Sequence, residues 1–134
     1  MNQGYSRAAF LLAALCWAGL IFYLSSQPSI DAPALFPGQD KLFHLIAFGM
    51  LGFLTMGTLQ ATHSGYQSKQ LWRVALAMML YGISDEFHQH FVPGRFVDAY
   101  DVLADAVGGL LGAWVMYYLS RMLARRSAKL PPSH

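Results

Sequence analysis

Leu80 to Gly109 reads LYGISDEFHQHFVPGRFVDAYDVLADAVGG and places Asp85, Glu86, His88, Gln89, His90, Arg95, Asp98, Asp101 and Asp105 between two apolar runs. Upstream, Leu71 to Ser84 is apolar apart from Arg73; downstream, Val102 to Leu123 is broken only by Asp105, Ser120 and Arg121. If both runs cross a membrane, these ionisable groups gather at one surface and continue below it. Ionised side chains inside a bilayer cost several kcal/mol each unless they are paired or wetted. The stretch therefore decides both the fold and the place to look for chemistry.

The rest of the chain supports a lipid environment. Of 134 residues, 55% are hydrophobic and 12% charged, about half the charged share usual in soluble domains. Ala8 to Leu24 is uninterrupted, and Leu42 to Ala61 holds only His44 and Gln60 as strongly polar positions. A helix needs roughly 20 residues to cross the hydrocarbon, which the third run reaches only if Asp85 to Phe91 belong to it. The spacing predicts an all-α polytopic membrane protein, a bundle of four transmembrane helices at about 8–24, 42–61, 71–91 and 101–123. A flexible basic tail over 124–134 is expected to follow. Breakers separate the helices: SSQPS and APALFPGQD after the first, HSGYQSK after the second, and VPGR, a turn signal, after the third.

Seven of the nine basic residues (Arg7, Lys69, Arg73, Arg121, Arg125, Arg126 and Lys129) lie at the termini and the middle connection, leaving only Lys41 and Arg95 on the other side. Basic residues are retained on the cytoplasmic side, so both termini should be cytoplasmic and the acidic stretch external. A signal peptide cleaved at Ala32 to Ala34 is the weaker alternative, because the site is far from the apolar run and contains Pro33. The net charge of +2 does not suggest nucleic acid, and the single Cys16 cannot pair within the chain.

At about 100° per residue, Lys41, His44, Phe48, Gly52 and Thr55 share one arc of the second helix. Gly82, Asp85, Glu86, Gln89 and His90 share a face of the third. Asp98, Asp101, Asp105, Gly108, Gly109 and Gly112 line the fourth. Each stripe is polar outside and small further in, and small residues let helices approach closely in lipid. The three stripes should face one another around an outward-opening polar pocket. Arg95 and Lys41 could alternatively serve only to neutralise carboxylates and lock the hairpin.

Several chemistries can be weighed. Glu86 and His90 at i, i+4 can chelate, with His44, Asp101 and Asp105 available to complete a shell. His88 and His90 diverge, however, and the His-Glu-x-x-His pattern and Cys ligands are absent, so the metal signal is weak. Ser25, Ser26 and Ser84 lack the Gly-x-Ser-x-Gly context of a nucleophile. Nothing identifies a cofactor or an oligomeric state.

DKLFHLIAFGMLG, followed by YGISDEFHQHFVPGRFVDAYDVLADAVGGLLG, resembles the VanZ-like membrane proteins. That family carries Lys-x-x-His on an early helix, then Asp-Glu-x-x-Gln-x-Phe-x-Pro-x-Arg, then Asp-x-x-x-Asn before a glycine-rich helix. The matching positions are Lys41, His44, Asp85, Glu86, Gln89, Phe91, Pro93, Arg95 and Asp101. Position 105 departs, with Asp105 where the family usually has Asn. The resemblance runs from Trp17 and YLSSQP through Gly112. It implies one VanZ-like domain in a bacterial inner membrane, linked to reduced susceptibility to teicoplanin-type glycopeptides.

Two functions are then expected. The pocket binds an envelope lipid or peptidoglycan-precursor head group through Lys41, Asp85, Gln89, Arg95, Asp101 and Asp105. Alternatively, His44 and Glu86 act as acid and base in a membrane-embedded hydrolase or transferase on a polyprenyl-phosphate-type lipid, with or without a metal.

Overall fold

The computed structural model describes residues 3–28, 35–61 and 68–127. The possible cleavage site at 32–34, most of the second connection and residues 128–134 lie outside them. The described elements are four helices: α1 (Gln3–Ser25), α2 (Gln39–Gln60), α3 (Lys69–Gln89) and α4 (Ala99–Ser127). There is no strand among the described residues. Three helices, α1, α2 and α4, are long and apolar enough to cross a membrane. α3 has the length, but Lys69, Arg73, Asp85 and Glu86 lower its apolarity.

The helix edges show which local signals operate. Gly38 and Gly94 have φ of 80° and 76°, a left-handed conformation that glycine adopts without a Cβ penalty. Gly38 precedes α2, and Gly94 makes the VPGR turn. α4 continues past the expected boundary near 123 to Ser127, so the first residues of the expected flexible tail are helical. At about 1.5 Å per residue its 29 residues span about 43 Å, more than the roughly 30 Å hydrocarbon core. Near that end Arg121 donates to the Tyr117 hydroxyl at 2.9 Å and lies over its ring.

α2 and α4 form the most extensive helix pair, and glycine is the cause. A Cβ at Gly52 would lie 2.7 Å from Gly109 Cα, and one at Gly108 would lie 3.0 Å from Leu45 Cα. The backbones are in direct contact, an approach that larger side chains prevent. Phe48, Met56, Val74, Met78 and Ala113 fill the buried core around this seam. Leu12, Leu15, Ile46, Trp72, Phe87, Leu103 and Leu123 remain exposed, as suits a surface wetted by lipid.

α1 leans on α2 and touches α3 lightly. Two polar pegs hold it: Trp17 Nε1 donates to Ala47 O at 2.9 Å, and Tyr81 Oη donates to Ala18 O at 2.8 Å. Each hydroxyl or indole N–H thereby finds a partner inside an apolar interface.

Candidate functional site

Asp85, Glu86, Gln89, Asp101 and Asp105 are all buried at one end of the bundle. The expected α3 face is therefore real for Asp85, Glu86 and Gln89, but it stops short of His90. The helix ends at Gln89, and His90 is exposed with its ring edge-on to Phe91. Glu86 is buried whereas His90 is exposed against Phe91, and the ligand clusters among the described residues do not include His90.

The polar residues fall into two neighbouring groups. In the first, Lys41 Nζ reaches Asp98 at 2.6 Å, Asp40 at 2.9 Å and Asp101 at 3.1 Å. These contacts occupy the three N–H donors of the ammonium. The hydrogen bond from Lys41 also holds the Asp98 carboxyl below its usual range. Glu86 Oε2 accepts the Asp98 N–H at 2.9 Å, tying α3 to the residue that precedes α4. Across the glycine seam, His44 Nδ1 lies 2.9 Å from Asp105 Oδ1. Gly82 is the reason Asp105 fits: a Cβ there would lie 3.0 Å from Asp105 Cβ.

The second group surrounds a cavity of about 430 Å³ between α1, α2 and α3. Trp17, Ile21, Leu24, Phe43, Ile46, Ala47 and Phe48 form its apolar wall; Ser25, Asp40, His44, Asp85, Gln89 and Arg95 form its polar end. Asp85 Oδ2 accepts from Ser25 Oγ at 2.8 Å and from Gln89 Nε2 at 2.9 Å. Arg95 does not neutralise a carboxylate among the described residues. Its Nε donates to Gln27 O at 3.2 Å and its Nη2 to Leu24 O at 3.3 Å. These carbonyls lie at and just past the C-terminal end of α1, where cations are favoured. Of the two cations expected to serve the pocket, Lys41 is committed to carboxylates, whereas Arg95 keeps N–H donors beyond its two carbonyl bonds.

Residues 10–121 match the VanZ/LLP1 family model, which is most of the chain. The chain belongs to the VanZ/LLP1 family. No curated protein and no solved structure matches it. In this VanZ/LLP1 protein, Asp40 and His44 belong to both groups: each lines the cavity, Asp40 pairs with Lys41 and His44 bonds to the α4 carboxylate.

Sequence reasoning missed what α1 contributes. Ser25 is no isolated helix-end serine, since it is buried against Asp85. Ser26 Oγ pairs with His88 Nε2 at 2.9 Å, and the His88 ring packs on Phe22. His88 points toward α1, away from the carboxylates, and anchors that helix. The tandem serines after Leu24 were the available signal, but periodicity on α1 alone does not say which helix they meet.

Proposed function

We propose that this VanZ/LLP1 protein binds an envelope amphiphile at the outer face of the bacterial inner membrane, with its polar head held between Arg95, His44, Gln89 and Asp85. One observation carries the reading: the cavity is apolar along α1 and α2 and polar at one end. That gradient matches a lipid whose chain lies in the membrane and whose head group meets donors and acceptors. The volume lies within the range of roughly 300–1,000 Å³ found for small-ligand sites. Arg95, with donors to spare, suits a phosphate or carboxylate, as in a polyprenyl phosphate or peptidoglycan precursor. Both termini are assigned to the cytoplasm, since Arg7, Lys69, Arg73 and Arg121 mark the end opposite the cavity. The family's link to teicoplanin-type resistance fits a protein that engages precursor lipids.

The His44–Asp105 pair favours a second reading. A buried carboxylate holding Nδ1 leaves the other imidazole nitrogen for proton transfer, so a hydrolase or transferase acting on the same lipid is the alternative. Glu86 does not line the cavity, which leaves His44 as the acid–base group of that reading.

Protein in nanodiscs, incubated with a polyprenyl phosphate and with the polyprenol of equal length, tests the proposal by native mass spectrometry. Preferential retention of the phosphate form is expected, with loss in Arg95→Gln and in Ile46→Trp, which fills the apolar wall. Equal retention of both lipids, or normal retention by both variants at normal abundance, would refute it. Product formation at a catalytic rate would favour the enzyme. Cysteines introduced beside Gly38 and Gly94 in a Cys16→Ala background should react with an impermeant reagent from outside. Protection there overturns the orientation.

A further inference from the structure

We propose that His44, Glu86 and Asp101 form a binding site for a divalent cation of the Mn²⁺ or Zn²⁺ class, held in register by Asp105. One ligand atom from each of the three residues lies within 4.8 Å of the others. Two ligands on one ion with bonds of about 2.1 Å are at most about 4.2 Å apart, so a small inward adjustment closes a shell. The helices supplying them are already fixed: α2 and α4 touch backbone to backbone, and Glu86 is tied to α4 through the Asp98 N–H.

A second, independent observation points to a cation. Glu86 is 3% exposed, yet its Oε1 has no hydrogen-bond partner among the described residues. Asp105 is fully buried and its Oδ2 is likewise unpartnered among the described residues. Buried polar atoms are nearly always satisfied, and a stranded carboxylate oxygen is among the costliest exceptions. Neither described cation at this end meets this need. Lys41 is spent on Asp40, Asp98 and Asp101, while Arg95 donates to the carbonyls of Leu24 and Gln27. The acidic end therefore holds carboxyl oxygens that Lys41 and Arg95 do not contact.

The donor set selects the ion. Two carboxylates with one imidazole and no thiolate suit Mn²⁺ or Zn²⁺ better than Ca²⁺, which takes six to eight oxygens. His44 Nδ1 is engaged by Asp105 Oδ1, leaving Nε2 as ligand. Outer carboxylates orient metal-bound histidines in this way and raise their basicity. The site does not depend on the lipid reading, since its ligands are set by α2, α3 and α4 alone.

Isothermal titration of the purified full chain in lipid-free detergent with MnCl₂ and with ZnCl₂ tests the inference. Elemental analysis should confirm one ion per chain, and Mn²⁺ pulsed electron resonance should show coupling to an imidazole nitrogen. Glu86→Gln keeps the side-chain size and an acceptor for the Asp98 N–H, and is expected to weaken binding at least 100-fold. Asp101→Asn should act similarly, Asp105→Asn should cost about tenfold, and the exposed His90→Ala should change nothing. Absence of binding at millimolar metal would overturn the proposal, as would binding unaffected by Glu86→Gln. Loss in Asp40→Asn with retention in Glu86→Gln would place the ion among Asp40, Asp98 and Asp101 and equally refute it. Because no lipid is present, failure here leaves the amphiphile reading untouched.

Discussion

Gly112→Ala adds a single methyl group at the tightest point of the α2/α4 seam. Its Cβ would lie 2.7 Å from the carbonyl carbon of Gly49 and 3.0 Å from the amide nitrogen of Phe53, and it would overlap the Gly49 carbonyl oxygen. These are backbone atoms, so no rotamer change relieves the clash. Restoring a carbon–carbon contact of about 3.5 Å requires the helices to separate by at least about 0.8 Å locally. Overpacking of this kind costs roughly 1–3 kcal/mol. The strain also reaches the site, because His44 and Asp105 face each other across the same seam at 2.9 Å. An added 0.8 Å there would stretch that contact past hydrogen-bonding range. Gly19→Ala is the matched control: nothing lies within 4 Å of its Cβ, and helix propensity alone should make it neutral or stabilising by up to about 1 kcal/mol. Thermal unfolding in one detergent, followed by circular dichroism, should rank Gly112→Ala below wild type and Gly19→Ala at or above it. Gly112→Leu should be worse still. If Gly112→Ala unfolds at the wild-type temperature, the direct backbone contact is wrong.

Lys41→Ala should destabilise by about 1–3 kcal/mol, chiefly by stranding the buried Asp101, and Asp101→Asn in the same chain should recover at least half of it. Arg95→Ala with Glu86→Gln should show no such rescue, because the two side chains are not partners; denaturation of the four variants checks both statements, and rescue of the second pair would contradict the observed pairing. Tyr81→Phe removes the donor to Ala18 O and should loosen α1, costing about 0.5–1.5 kcal/mol. Hydrogen exchange should then rise in α1 more than in α4, and a uniform change would argue against a local peg.

Four helices, the grouping of acids at one end and the glycine seam can be read from the chain before any contact between helices is known. Each follows from a pattern within a single segment: apolar runs long enough for the hydrocarbon, turn residues between them, and a repeat that puts Asp101, Asp105, Gly108 and Gly112 on one stripe. Burial of Asp85, Glu86 and Gln89 was legible for the same reason. Tertiary structure alone decided which group each charged residue meets. Lys41 and Arg95 look equivalent as isolated cations, yet one lies among three α2 and α4 carboxylates and the other lies against α1 carbonyls. His90 shares an i, i+4 spacing with Glu86, but it caps the helix end and lies exposed against Phe91. Ser25, Trp17 and Tyr81 matter through the docking of α1, whose lipid-compatible surface carries no periodic mark of the side that faces protein. In a membrane, an apolar residue is equally at home against lipid or against another helix. Hydrophobic pattern therefore specifies the spans, while a few polar contacts and the glycine approach specify their arrangement.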